Sequence, residues 1–248
     1  AQYGYEALGS MLVVRARGGF GCAALAGTVW LLTYAWCAAP IPFYDKGEPR
    51  EALVVRAVRE GHGLILPRPD GIDLPAKPPL FHWLAALALA AGVRPEELAI
   101  RAPSIVCGAL GVAITSGVAT AAFGESVGVL TALMLGSSFE WMRAATQARV
   151  DMTLTLLLSG TMLAWVLGAR EHRRGLVRLG WVLAAAAVLT KGPIGIVLPC
   201  LVVGADALVR RDVRSLAVLA DVPGVLTFGT LWVGWFALAW SAGGEEFI

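Results

Sequence analysis

The segment YDKGEPREALVVRAVREG, which starts at Tyr44, follows an apolar run of about twenty residues, the length that spans a bilayer. Within it fall Asp45, Lys46, Glu48, Arg50, Glu51, Arg56, Arg59 and Glu60. A plain connection between membrane helices needs few polar residues, so this density reads as working surface. The next segment, LPRPDGIDLPAKPPLFHW (66–83), sets Lys77 directly before Pro78 and Pro79, which can start a helix but cannot sit inside one. An ammonium fixed there, beside an apolar slab, suits a lipid-linked phosphate whose charge stays at headgroup depth. Arg50 can share that load, because a guanidinium grips two phosphate oxygens at once. On spacing alone, a lysine snorkelling from an interfacial helix is an equal alternative.

Asp151 opens the helix that reads DMTLTLLL. Taken alone, a carboxylate there is a helix-terminal residue favoured by the dipole, and that reading outweighs a chemical one. Asp45 and Glu48 read equally as solvated loop charges. Lys191, in LTKGP, is a corner between helices or an interface anchor. His82, in FHW, fits an aromatic belt better than a ligand set, and the tryptophans are belt residues too. Cys22, Cys37, Cys107 and Cys200 lie in apolar runs without paired spacing, so neither a disulfide framework nor a metal site is expected.

These groups need elements to hold them, and composition says which. The 248 residues are 57% hydrophobic and only 15% charged, with a mean hydropathy of +0.70. Soluble domains carry about 25% charge, so the expected class is an all-α integral membrane protein. The net charge of +2 gives no reason to expect a nucleic-acid partner. Apolar runs at 20–39, 103–123, 127–144, 152–169, 176–190, 193–210 and 222–241 are the expected spans. The run 80–92 is shorter than the roughly seventeen residues a span needs.

The richest arginine loops, AREHRRGLVR (169–178) and VRRDVR (209–214), belong in the cytoplasm by the positive-inside rule. They fall there together with Arg15 and Arg17 when 80–92 does not cross. Residues 40–102 then form one large outer segment, joined on that face by TQARVD (146–151), the corner at Lys191 and GGEEF. Inside the segment, Pro49 suits the first turn of an amphipathic helix that Gly61-His62-Gly63 ends. Its expected apolar face is Leu53, Val54, Ala57 and Val58, opposite Glu51, Arg56, Arg59 and Glu60. Residues 1–19 are expected to be a cytoplasmic lead, with 1–10 unrelated to the chain beyond Met11. The stop after GGEEFI leads us to expect a C-terminally truncated domain over 20–248.

Together these residues resemble the bacterial GT-C glycosyltransferases of the protein-mannosyltransferase/aminoarabinose-transferase superfamily (families 39 and 83). The matching motifs are Glu48-Pro49-Arg50, Pro67-Arg68, Gly71, Lys77-Pro78-Pro79-Leu80 and Trp83. Arg101-Ala102-Pro103-Ser104, Asp151-Met152 and Thr190-Lys191-Gly192-Pro193 come after them in order. The likeness runs from about residue 20 to the end. It departs at two positions: Gly47 stands where the family has a carboxylate, and Glu51 where it often has Tyr.

The resemblance implies a multi-span helical domain with interfacial helices in the first outer loop. It also implies transfer of a sugar, with inversion, from a polyprenyl-phosphate donor at the outer face of the bacterial inner membrane. The acceptor would be a lipid such as lipid A, a glycan or a protein. In that chemistry a carboxylate orients the nucleophile and takes its proton, while cations neutralise the departing phosphate. Asp45 or Glu48, together with Asp151, are the expected acids, and Arg50 and Lys77 the expected phosphate ligands. Arg68, His82 and Lys191 are further candidates to line the site. No cofactor is called for, a divalent metal being the open alternative; the remaining partners are membrane lipids. The rival class is a transporter or flippase of lipid-linked sugars, which would carry its charges at mid-membrane on broken helices.

Overall fold

The computed structural model describes residues 16–44, 47–69, 77–211 and 213–244. The described residues form helices and loops, with no strand among them. In chain order the helices are α1 (Ala16–Ala38), α2 (Gly47–Glu60), α3 (Leu80–Ala90), α4 (Glu96–Phe123), α5 (Glu125–Gly136) and α6 (Phe139–Ala145). They continue as α7 (Val150–Arg170), α8 (Arg174–Lys191), α9 (Ile194–Arg210), a 3₁₀ turn (Val213–Ala220) and α10 (Val222–Gly243). Four are long and apolar enough to cross a membrane: the Gly19–Ala38 part of α1, and α4, α7 and α10.

α4 is the central post, packed against α1, α3, α5, α6 and α7. Its approach to α1 is close because small residues meet. A Cβ on Gly19 would lie 2.9 Å from the Gly117 carbonyl oxygen, and one on Gly27 3.0 Å from Ala113 Cβ. In hydrocarbon such small-residue seams give helices the van der Waals contact that apolar burial does not supply. α7, α8 and α10 form a second wall, where Trp165, Trp181 and Phe228 stack in sequence with centroids 5.1 and 5.6 Å apart.

The expected span at 127–144 is not one helix. α5 has 12 residues, about 18 Å at 1.5 Å per residue, well short of the roughly 30 Å hydrocarbon core. It ends at Ser137 and Ser138. Ser137 Oγ donates to the Leu133 carbonyl at 2.6 Å and Ser138 Oγ to that of Leu135 at 2.9 Å, while Ser138 adopts extended backbone. Hydroxyls bonded to nearby carbonyls offer the chain an alternative to the helical ladder. α8 and α9, with 18 and 17 residues, lie at the short limit for a span, and α8 carries Arg174, Arg178 and Lys191 at its ends.

α2 differs from its expected face. Its buried stripe is Glu48, Glu51, Ala52 and Val55, a helical i, i+3, i+4, i+7 row, with Val54 and Ala57 beside it. Leu53, expected inside, is 49% exposed. The row packs into a core made by Phe81, Ala85, Ala86 and Leu89 of α3, Ala99 and Ile100 of α4, and Ala148 and Val150. α3, at 11 residues, is about 16 Å long and does not reach across a bilayer.

The ends of the helices sort into two groups. α1 finishes, α4 and α7 begin and α8 finishes at one end, tied by a hydrogen bond from Ser104 Oγ to the Arg149 carbonyl (2.9 Å) and by the Lys191–Asp151 pair. The turn between α7 and α8, the finish of α9 and the start of α10 lie at the other end. There Arg178 Nε approaches Asp221 Oδ2 at 3.7 Å.

Candidate functional site

Glu48 begins the site end. It stands in the first turn of α2, is fully buried, and both its oxygens are engaged. Oε1 accepts from Arg101 Nε at 2.8 Å and from the Ala148 backbone N–H at 2.8 Å. Oε2 accepts from Arg101 Nη2 at 2.9 Å. The guanidinium completes its bonds with the carbonyls of Ala38 (2.9 Å) and Ile41 (2.5 Å) through Nη1, and of Pro42 (3.2 Å) through Nη2. All five of its N–H donors are thereby spent. Glu48 and Arg101 thus join the end of α1, the loop after it, α2, α4 and the approach to α7. The expectation that Glu48 serves as an acid facing a substrate gives way to this: both of its oxygens are committed, out of reach of solvent.

One turn further along α2, Glu51 is 6% exposed and takes two partners. Lys77 donates to Oε1, and His82 Nε2 lies 2.7 Å from Oε2. Burial pushes the Glu51 carboxyl up, yet the hydrogen bonds and charge from His82 and Lys77 outweigh it and hold the group below the ordinary glutamate range. His82 is 1% exposed on α3, so it is a core residue and not part of an interfacial belt. Lys77 keeps about a third of its side chain in the open.

Gly47, at the start of α2, lies against Arg149. A Cβ built there would lie 3.3 Å from an Arg149 guanidinium nitrogen, so Arg149 covers the place where a side chain would begin. Beside it, Gln147 donates to the Tyr44 hydroxyl at 2.6 Å and accepts from Arg143 at 3.2 Å. Asp45, the other candidate acid of this loop, lies outside the described residues, as does Gly71.

Asp151 and Lys191 meet at 2.5 Å with about 40% of each side chain exposed. Asp151 is in the first turn of α7 and Lys191 in the last turn of α8, each where the helix dipole favours its charge. The Lys191 corner needs Gly192, whose φ of 79° is a left-handed conformation. Arg50 is exposed and makes no ion pair or hydrogen bond among the described residues. Arg68 is half-buried in the loop after α2. No group of three or more His, Cys, Asp or Glu side chains gathers for a metal ion among the described residues.

The structure therefore brings Glu48, Lys77, His82, Asp151 and Lys191 to one end of the bundle, but in separate charge pairs. Arg101, Glu51 and Arg149 are partners that the candidate set lacks. Arg101 stood in a matched motif. Glu51 stands among the charges of the opening segment and in place of a frequent Tyr, and Arg149 falls within the outer stretch TQARVD, but neither has an expected role there.

The family model described as dolichyl-phosphate-mannose-protein mannosyltransferase matches residues 76–240. The crystal structure of ArnT from Cupriavidus metallidurans in the apo state superposes with a TM-score of 0.80, at 27% identity over 91% of this chain and 43% of that one. The structure of the same protein bound to undecaprenyl phosphate gives 0.81, at 26% identity over 91% and 42%. An uncharacterized protein of Aquifex aeolicus (strain VF5) is 28% identical over 174 residues, which is 69% of this chain and 34% of that protein. The chain spans less than half the length of each of these relatives.

Proposed function

The chain belongs to the dolichyl-phosphate-mannose-protein mannosyltransferase family, and from that premise we propose that it transfers a sugar from a polyprenyl-phosphate donor to a lipid, glycan or protein acceptor. One observation carries the reading. Nine-tenths of the chain follows the fold of a protein solved with undecaprenyl phosphate bound, and the site end of that fold presents accessible cations, Arg50 and Lys77. Arg50 and Lys77 receive the donor phosphate. Asp151, held in place by Lys191, orients the acceptor hydroxyl together with Asp45. As the acceptor oxygen bonds to the anomeric carbon, the carbon–oxygen bond to phosphate breaks, the acceptor proton passes to a carboxylate, and the leaving phosphate's charge falls on the two cations.

Transfer from an undecaprenyl-phosphate-linked sugar, measured in membranes holding equal amounts of the protein, tests the reading. Arg50→Ala and Lys77→Ala each remove a charge-assisted phosphate contact of about 1.5–3 kcal/mol, tenfold or more in donor use. Normal transfer by both variants would refute the phosphate role. Movement of intact donor between leaflets with no sugar transferred would favour a flippase instead.

The site end faces the periplasm in this reading, because the other end collects Arg170, Arg173, Arg174, Arg178, Arg210 and Arg211. With the four native cysteines replaced, Glu60→Cys is expected to react with an impermeant maleimide in intact spheroplasts. Arg173→Cys is expected to react only after lysis. Labelling of both from the same side would remove the proposed orientation.

A further inference from the structure

Glu51 has no part in the transfer described above, yet it is the most elaborately partnered side chain near Lys77. A nearly buried carboxylate loses its hydration and must recover it from the protein. Here it does so from two directions, through the Lys77 ammonium on one oxygen and His82 on the other. A carboxylate only accepts, so His82 Nε2 carries the proton of that bond. Nδ1 is buried and has no hydrogen-bond partner among the described residues. His82 therefore makes a single bond, and that bond fixes the Glu51 carboxylate.

Stability alone is a poor reason for this arrangement, because well-packed apolar side chains commonly do as well as a buried ion pair. What the pair accomplishes is orientation. Lys77 lies just before α3 on a long flexible stem, and an untethered ammonium would give up rotamer freedom when a ligand captures it. Held by Glu51, it has already given that up. An ammonium has three N–H donors. One is spent on Glu51, two remain, and the third of the side chain left exposed is where they can be met. Glu51 also cancels the charge of Lys77, whereas exposed Arg50 has no ion pair among the described residues to offset its charge.

We propose that Glu51, braced by His82, is a positioning residue that presents the Lys77 ammonium to the phosphate of the lipid donor. The proposal rests on the donor reading above. Lys77 then binds as an aimed donor of two hydrogen bonds, and Arg50 as the attracting charge.

A double-mutant cycle tests it, with undecaprenyl phosphate as the probe and the full protein in detergent micelles. Binding is measured on the folded fraction of wild type, Glu51→Gln, Lys77→Ala and the double variant. Glu51→Gln is expected to weaken binding on the order of tenfold, a loss typical of one charge-assisted hydrogen bond. Because Glu51 acts through Lys77, the double variant is expected to bind no more weakly than Lys77→Ala alone. Unchanged affinity in Glu51→Gln, or losses that multiply in the double variant, would leave Glu51 with a packing role only. If Glu51→Gln does not fold, Glu51→Asp keeps the charge but draws it back, and the same cycle is read with it. No binding by wild type, or equal binding by Lys77→Ala, would overturn the donor reading itself. Loss in Lys77→Ala without loss in Glu51→Gln would overturn only the positioning role.

Discussion

Arg101→Ala is expected to cost more stability than any other single change at the site end. It leaves a fully buried Glu48 carboxylate with one remaining hydrogen bond, from the Ala148 N–H. Breaking a buried ion pair in this one-sided way costs about 3–5 kcal/mol, because the surviving charge has neither partner nor water. The carbonyls of Ala38, Ile41 and Pro42 lose their donor at the same time, which adds to the loss. Arg101→Lys should recover little, since an ammonium has three donors where the guanidinium uses five. Thermal unfolding in detergent measures both variants. A midpoint within a degree or two of wild type for Arg101→Ala would show that this end is held by other means.

Asp151→Asn is expected to have the opposite signature, with the fold kept and transfer lost. Its side chain is about 40% exposed, and its one ion pair, to Lys191, is of the half-solvated kind that contributes little to stability. Asparagine keeps the shape and still accepts from Lys191, but it cannot take a proton. Removal of a general base typically lowers rate by about 10²–10⁴-fold. Lys191→Ala should show a smaller loss, since the acid remains but is no longer fixed. Sugar transfer under saturating donor, with unfolding monitored in parallel, separates the cases. Full activity in Asp151→Asn would move the acid's work elsewhere.

The parts of the fold set by apolar length were legible in the sequence. Gly19–Ala38, α7 and α10 match the expected runs at 20–39, 152–169 and 222–241 closely, while α4 contains the run at 103–123 but begins seven residues earlier, at Glu96. The run at 127–144 misled because hydropathy does not register a backbone break, and Ser138 turns extended inside an apolar stretch. The face of α2 misled for a related reason. Periodicity assigns charged residues to water, but Glu48 and Glu51 are buried against cations that lie 53 and 26 residues further along the chain. Such partners are a property of the folded arrangement. The same limit separates the candidates from their roles: Arg101 was read as part of a motif, whereas its five bonds require separate chain positions to converge.

The Glu48–Arg101 junction also orders events during synthesis. Its parts come from the end of α1, from α2, from the first turns of α4 and from Ala148, a hundred residues after Glu48. While the ribosome has delivered only α1 and α2, the Glu48 carboxylate has no partner and α2 has no fixed seat. The arrival of α4 supplies the guanidinium, but the Ala148 bond still waits for the stretch before α7. Closure of this end is therefore a late step of biogenesis, and a nascent chain arrested before residue 148 is expected to be cut by added protease in its first loop sooner than the finished chain.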